Sequence, residues 1–146
     1  MNLTNYYIRS AIYPSIILFP VILVLAWIDQ QDYESEWLTG ESIIGMTIIV
    51  ILVYGAIMSL LSLTLFLNRY DTIRSNPFLS ALAWFLLPGG FIALVVVKSV
   101  IEYQTVGSEE DIKYALFVNL PFLVSLTWNF IKFRSQVNAE ENIPGT

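Results

Sequence analysis

The chain has 146 residues, of which 56% are hydrophobic and 13% charged, and its formal net charge is −5. Soluble domains carry roughly 25% charged residues, so this composition excludes an ordinary water-soluble domain. The chain contains neither His nor Cys, which excludes disulfide chemistry, His-ligated haem, Ser–His proteases and the two-His zinc helix.

Four uncharged apolar stretches follow one another along the chain. A membrane-spanning helix requires about 20 mostly apolar residues, and an amphipathic soluble helix would instead place polar residues along one face. The predicted spans are Ala11–Ile28, Ile43–Leu67, Phe78–Val97 and Tyr114–Ile131. We therefore expect an all-α integral membrane protein in which residues 1–134 form a single four-transmembrane-helix bundle, with the third and fourth helices extended to 78–101 and 112–133.

The first span has a second interpretation as a cleaved signal peptide, because Arg9 precedes it as a basic flank would. Its 18 residues exceed the usual apolar region of about 7–15 residues in such peptides. The residues Trp27, Ile28 and Asp29 at its end also lack the small side chains of a cleavage site. We therefore expect an uncleaved first span.

The basic residues predict how the helices are oriented. Five of the seven Lys and Arg residues flank the spans on one side, and only Lys98 and Lys113 lie on the other. Cytoplasmic loops carry the excess of Lys and Arg, so both termini are expected in the cytoplasm and the chain in the cytoplasmic (inner or plasma) membrane. The five residues are Arg9, Arg69, Arg74, Lys132 and Arg134.

The opposite side is expected to be acidic. Nine of the twelve acidic residues fall there, and a negative face raises the local concentration of cationic partners. The alternative is a by-product of topology, since the positive-inside rule removes bases and tolerates acids. We select five acidic residues as candidate partner-binding groups: Asp32, Glu34, Glu36, Glu109 and Glu110. Asp29, Asp32, Glu34 and Glu36 do not match the spacing of a calcium loop, and no metal or cofactor is expected.

Several helix boundaries can be predicted from capping residues. Asn76 followed by Pro77 predicts an N-cap and first position for the third helix. Lys98 and Glu102, four residues apart, predict that this helix continues to about Tyr103. Ser108 with Asp111 resembles a capping box that begins the fourth helix. Residues 135–146 are polar and are expected to form a flexible cytoplasmic tail.

The sequence Pro88-Gly89-Gly90 falls near the middle of the third span. Pro88 cannot donate to the carbonyl of Trp84 and its ring clashes there, so we expect a kinked helix. One interpretation is an ion or substrate site on a broken helix, whose exposed carbonyls would face protein or water. The other is a packing kink, which the lack of an intramembrane charge favours.

Small and polar residues indicate where the helices pack. Gly55 and Ser59 form a small-xxx-small pair that lets another helix approach closely. Tyr54 lies in the same span, and its hydroxyl requires a partner. Asn119 in the fourth span is expected to form a hydrogen bond across helices, or alternatively to line a polar cavity.

No motif in the chain indicates a particular reaction. It has no phosphate-binding Gly-rich loop, no Gly-x-Ser-x-Gly elbow and no basic patch for nucleic acid. We expect a non-enzymatic protein that interacts with another membrane or extracytoplasmic protein, as a subunit of a complex or an immunity-type protector, or with further copies of itself. The alternative is a small oligomeric channel or transporter that uses the broken third helix. An enzyme would have to use a carboxylate at the membrane rim, such as Asp29, Glu41 or Asp71.

Overall fold

The computed structural model describes residues 2–30, 40–106 and 109–141. Within these ranges the chain forms helices joined by short breaks, and the described residues contain no β-strand. The helices are α1 (Leu3–Tyr7), α2 (Tyr13–Gln30), α3 (Gly40–Leu61), α4 (Asp71–Ser75), α5 (Pro77–Val106) and α6 (Glu109–Glu141).

Helices α1 and α2 are joined by a π-helical turn, Ile8–Ile12, into one uninterrupted helical stretch. The backbone N–H of Tyr13 donates to Ile8, five residues earlier. Pro14 has no N–H, so residue 14 cannot donate to the carbonyl of Arg9 or of Ser10. The hydroxyl of Ser125 in α6 donates to the Arg9 carbonyl instead, at 2.7 Å. The position of Pro14 therefore accounts for both the wide turn and a bond between the first and last helices.

The second span changes its helical type before it ends. Helix α3 passes into a 3₁₀ segment of eight residues, Ser62–Arg69, although such runs rarely exceed three or four residues. Within it, the fully buried Asn68 donates its amide to the carbonyl of Leu65 at 3.0 Å and accepts from Ser80 Oγ in α5 at 2.6 Å. The bond with Ser80 holds the segment against α5, and the bond with Leu65 orients the Asn68 side chain within the segment.

The predicted start of α5 is confirmed. Helix α5 begins at Pro77, and Asn76 Oδ1 accepts from the N–H groups of Phe78 and Leu79 at 2.9 and 3.2 Å. The ion pair between Lys98 and Glu102 is also present, with 3.4 Å between the charged atoms. The helix continues to Val106, beyond the expected limit at Tyr103.

Helix α6 is longer than the sequence suggests. It runs to Glu141, so residues 135–141 of the expected flexible tail are helical. Val137 is buried, and Gln136 Oε1 accepts from the hydroxyl of Tyr6 at 2.9 Å. The polar composition of this segment concealed its packing against α1. Residues 142–146 and the expected cap Ser108 lie outside the described residues.

Four helical stretches of the described residues are long and apolar enough to cross a membrane, as predicted. Large apolar side chains on each of them face outward, including Ile16, Leu60, Leu94 and Leu120, each at least 60% exposed. Several polar side chains are buried between the helices instead: Ser10, Ser62, Asn68, Ser80, Ser99, Asn119 and Asn129. The stretches are Leu3–Ile28, Ile44–Arg69, Pro77–Thr105 and Ile112–Glu140.

Two groups of buried residues hold the helices together. The aromatic cluster joins α1, the 3₁₀ segment, α5 and α6, and it consists of Tyr6, Leu65, Trp84, Leu126, Phe133 and Val137. The mid-span cluster joins α2, α3, α5 and α6 through Leu18, Met58, Ile92 and Phe122. In the aromatic cluster the rings of Trp84 and Phe133 have centroids 5.6 Å apart, within the range of favourable aromatic contacts.

Candidate functional site

The side chains of all five acidic residues selected from the sequence lie outside the described part of the chain. Asp32, Glu34 and Glu36 lie outside the described residues. Glu109 and Glu110 lie at the start of α6, and their side chains are also outside the description. An acidic docking surface therefore stays a prediction.

Pro88, Gly89 and Gly90 lie within α5, which is helical from Pro77 to Val106. Pro88 is fully buried. A Cβ added to Gly89 would meet only Phe85 of its own helix, at 3.8 Å, and one added to Gly90 would meet nothing within 4 Å. Gly90 therefore has open space beside it. The kink and the ion or substrate site stay predictions.

Each of the three expected packing residues contacts another helix. A Cβ added to Gly55 would lie 3.2 Å from Ser15 Oγ in α2, so α2 and α3 approach closely there. The carbonyl of Ser59 accepts from the hydroxyl of Tyr7 in α1 at 3.2 Å. Asn119 in α6 pairs with Tyr54 in α3. Together these contacts place α3 against the first and last helices.

The pair of Tyr54 and Asn119 is a polar contact inside an apolar bundle. The Tyr54 hydroxyl donates to Asn119 Oδ1, and Asn119 Nδ2 donates to the carbonyl of Ala115 at 2.6 Å. The ring of Tyr54 contacts Phe122 edge-on, with centroids 5.6 Å apart, and lies 6.0 Å from Phe91. Since Asn119 is buried and both of its polar groups are engaged, the pair holds α3 to α6.

Two apolar cavities adjoin the close approach of α2 and α3, and together they form what we call the α2–α3 cleft. The first has a volume of about 330 Å³ and the second about 390 Å³. Both are lined by Ser15, Ile51 and Gly55. The first also contacts α6 at Val118 and Phe122.

The two cavities extend to opposite sides of the shared residues. On α3 the first cavity adds Val50 and Tyr54, whereas the second adds Leu52 and Ala56. Successive residues of a helix are about 100° apart, so these two pairs lie on either side of the line through Ile51 and Gly55. The cleft is thus a broad surface with small residues at its centre and apolar walls.

The chemistry of the cleft suits an apolar ligand. None of the residues lining its two cavities is Asp, Glu, Lys or Arg. The Ser15 hydroxyl at its centre donates to the carbonyl of Ala11 at 2.9 Å, and the Tyr54 hydroxyl is bound to Asn119. These polar groups are satisfied within the protein, which leaves shape and van der Waals contact as the means of recognition.

Sequence reasoning identified Gly55 and Ser59 but missed Ser15. The signal was present as a spacing, because Ser15 and Phe19 stand four residues apart, as do Gly55 and Ser59. Such spacing puts residues on one helix face, yet it does not say which helices meet. The pairing of α2 with α3 was needed to bring the two faces together.

Comparisons of the chain with protein-family models, with curated proteins and with solved structures find no match in any of the three.

Proposed function

We propose that this chain is a multi-pass protein of the cytoplasmic membrane, with both termini in the cytoplasm, that acts by binding another membrane protein. It would be a subunit of a membrane complex or an immunity-type protector, and it would perform no catalysis. The observation that carries the proposal is the α2–α3 cleft, which opens small and apolar residues toward the surroundings of the bundle.

The membrane placement is supported by the distribution of side chains. Soluble monomers rarely expose apolar patches larger than a few hundred Å², whereas here exposed Leu, Ile and Val cover all four apolar stretches. Three of the buried polar side chains form hydrogen bonds between helical segments, namely Ser80 with Asn68, and Asn119 with Tyr54. A lipid environment favours this inverted pattern, because lipid cannot satisfy polar groups.

A partner helix fits the cleft better than an aqueous ligand. Lipid tails are as apolar as Leu, so helices in a membrane associate by close packing rather than by the hydrophobic effect. Small residues permit that close packing, and Ser15, Gly55, Ala56 and Ser59 supply them at the second cavity.

The orientation can be tested by cysteine labelling, because the chain has no native Cys. Ser75→Cys lies before α5 and Gln104→Cys near its end, and both positions are exposed. In intact cells a membrane-impermeant maleimide should label Gln104→Cys and leave Ser75→Cys unlabelled until the cells are opened. The reverse pattern would contradict the proposed topology.

The partner-binding role can be tested by photo-crosslinking in native membranes. A photoreactive amino acid at Leu52, inside the cleft and exposed, should produce a discrete protein adduct. The same amino acid at Leu94, which is more exposed but lies on α5, is the matched control and should give lipid adducts alone. Lipid adducts alone at both positions would contradict the proposal, and solute flux by the purified chain in liposomes would favour a channel.

The acidic loops would add an electrostatic contact with the same partner. Replacement of Asp32, Glu34, Glu36, Glu109 and Glu110 by their amides should reduce recovery of the Leu52 adduct, because a negative face attracts a cationic partner. Unchanged recovery would limit the interaction to the helix faces.

A further inference from the structure

A further groove, separate from the two cavities of the α2–α3 cleft, lies between α6 and the stretch formed by the π-helical turn and the start of α2. Its volume is about 290 Å³. Its polar end is lined by Arg9, Tyr13, Ser125, Trp128, Asn129 and Lys132. Its other end is apolar, with Pro14, Ile17 and Pro121. We call this the basic groove, because both of its charged residues are cations.

The two helices are held at this position by contacts that do not involve the charged groups. Ser125 Oγ donates to the carbonyl of Arg9, to which Pro14 cannot donate because it has no N–H. The hydroxyl of Tyr6 bonds to Gln136, and the ring of Tyr6 meets that of Phe133 edge-on at 5.8 Å. The side chains of Arg9 and Lys132 are thus brought to one groove by the packing of the backbone.

Neither cation is neutralised by the rest of the described chain. Among the side chains that the structure describes, the ion pairs involve Arg74 and Lys98, and neither Arg9 nor Lys132 takes part. The Lys132 ammonium lies 5.1 Å from the ring centroid of Trp128, which positions it by a cation–π contact. Both cations are exposed and are available to an external anion.

The length of the groove, and the change along it from polar to apolar residues, match one leaflet of a lipid bilayer. Arg9 and Ile17 are eight residues apart, or about 12 Å along a helix at 1.5 Å per residue. One leaflet's share of the hydrocarbon core is about 15 Å. An anionic headgroup at Arg9 and Lys132 would therefore lie at the membrane surface, with its acyl chain along Ile17 and Pro121.

A polar recess on the other side of Arg9 extends this end further into the headgroup region. It has a volume of about 150 Å³ and is lined by Asn2, Asn5, Tyr6, Arg9 and Gln136. The sequence of environments along the groove is thus amide, cation, aromatic ring and hydrocarbon. A glycerophospholipid presents a polar headgroup, a phosphate, a glycerol ester and an acyl chain in the same order.

We propose that the basic groove binds an anionic glycerophospholipid, with the phosphate between Arg9 and Lys132 and one acyl chain on Ile17 and Pro121. Basic pockets between membrane helices are a recognised form of site for such headgroups. The inference rests on the membrane placement made under the proposed function, but it does not depend on the partner.

The test is a titration of the detergent-purified chain with phosphatidylglycerol or phosphatidylcholine, followed by native mass spectrometry. The double variant Arg9→Gln/Lys132→Gln should bind phosphatidylglycerol about 25-fold more weakly, since each base near an anionic surface contributes about fivefold to the affinity. The matched control Arg69→Gln/Lys98→Gln removes the same net charge outside the groove and should retain the affinity of the unaltered chain.

A conservative pair separates loss of binding from loss of folding. Arg9→Lys/Lys132→Arg keeps both charges and should preserve the preference for phosphatidylglycerol. Glycerol 3-phosphate in large excess should not displace the lipid, because it lacks the acyl chain.

Equal affinity for the two lipids, an equal loss in both Gln variants, or displacement by glycerol 3-phosphate would each overturn the assignment. The Leu52 crosslink reports on the α2–α3 cleft alone. Failure of the lipid site would therefore be distinguishable from failure of the partner-binding role.

Discussion

The aromatic cluster and the α2–α3 cleft are built on the same bundle, but one is filled and the other is open. In the cluster, Trp84 and Phe133 are buried to 1% exposure or less, and rings from three helices meet. In the cleft, Gly55 touches Ser15 while two cavities open beside them. In lipid the hydrophobic effect does not drive helices together. Close packing therefore stabilises the aromatic cluster, and the open space of the α2–α3 cleft is available to a partner.

The largest effect is expected in the aromatic cluster. Trp84→Ala should lower the free energy of unfolding by about 3–5 kcal/mol, as for other large aromatic deletions from a packed core. The Trp84 indole N–H has no hydrogen-bond partner among the described residues, so the loss would be one of packing. Unfolding in mixed micelles with increasing SDS would measure it.

Trp27→Ala is the matched control, because Trp27 is 57% exposed. Its cost should be about 0.5 kcal/mol, as for an ordinary surface substitution. An equal loss of stability in both Trp variants would contradict the assignment of Trp84 to a packed core.

An intermediate effect is expected where α3 meets α6. Asn119→Ala should cost about 0.6–2 kcal/mol, which is the range measured for hydrogen bonds between membrane helices. Combined with Tyr54→Phe in a double-mutant cycle, the two losses should be strongly non-additive, because each removes the same bond. Additive losses would show that the bond does not contribute to holding the open side of the bundle.

The smallest effect is expected at the π-helical turn. Ser125→Ala should cost about 0.6 kcal/mol, since it leaves the Arg9 carbonyl without its side-chain donor. In a Pro14→Ala background residue 14 regains an N–H, and the cost of Ser125→Ala should fall. The cycle would be followed by SDS unfolding, and an equal cost in both backgrounds would contradict the role assigned to Pro14.

The sequence was sufficient for the number of apolar helices and for the start of α5. Uncharged runs and the Asn76-Pro77 pair are local signals, and their physical meaning does not depend on the rest of the chain. It was insufficient for the end of α6, where Val137 is buried in the aromatic cluster that also contains Tyr6 of α1. It was also insufficient for the 3₁₀ segment, because the hydrogen bond that holds Asn68 comes from Ser80 of another helix.

Two lining residues of the candidate cleft were predicted from the sequence, but as helix-packing residues and not as part of an open surface. Gly55 and Ser59 are visible as a spacing in one helix. Ser15 and Ala56 acquire meaning only when α2 and α3 are paired, because the cavities are formed jointly by two helices. The basic groove was hidden in the same way, with Arg9 and Lys132 separated by most of the chain.

The central claim is that the open region is a docking site for a partner, and one pair of variants tests it most directly. Ala56→Phe would fill the second cavity from an exposed position, and Ala93→Phe adds the same ring to an exposed position of α5. With the photoreactive group at Leu52, the account predicts that Ala56→Phe abolishes the protein adduct and that Ala93→Phe leaves its yield unchanged. An adduct of equal yield in both variants would contradict it.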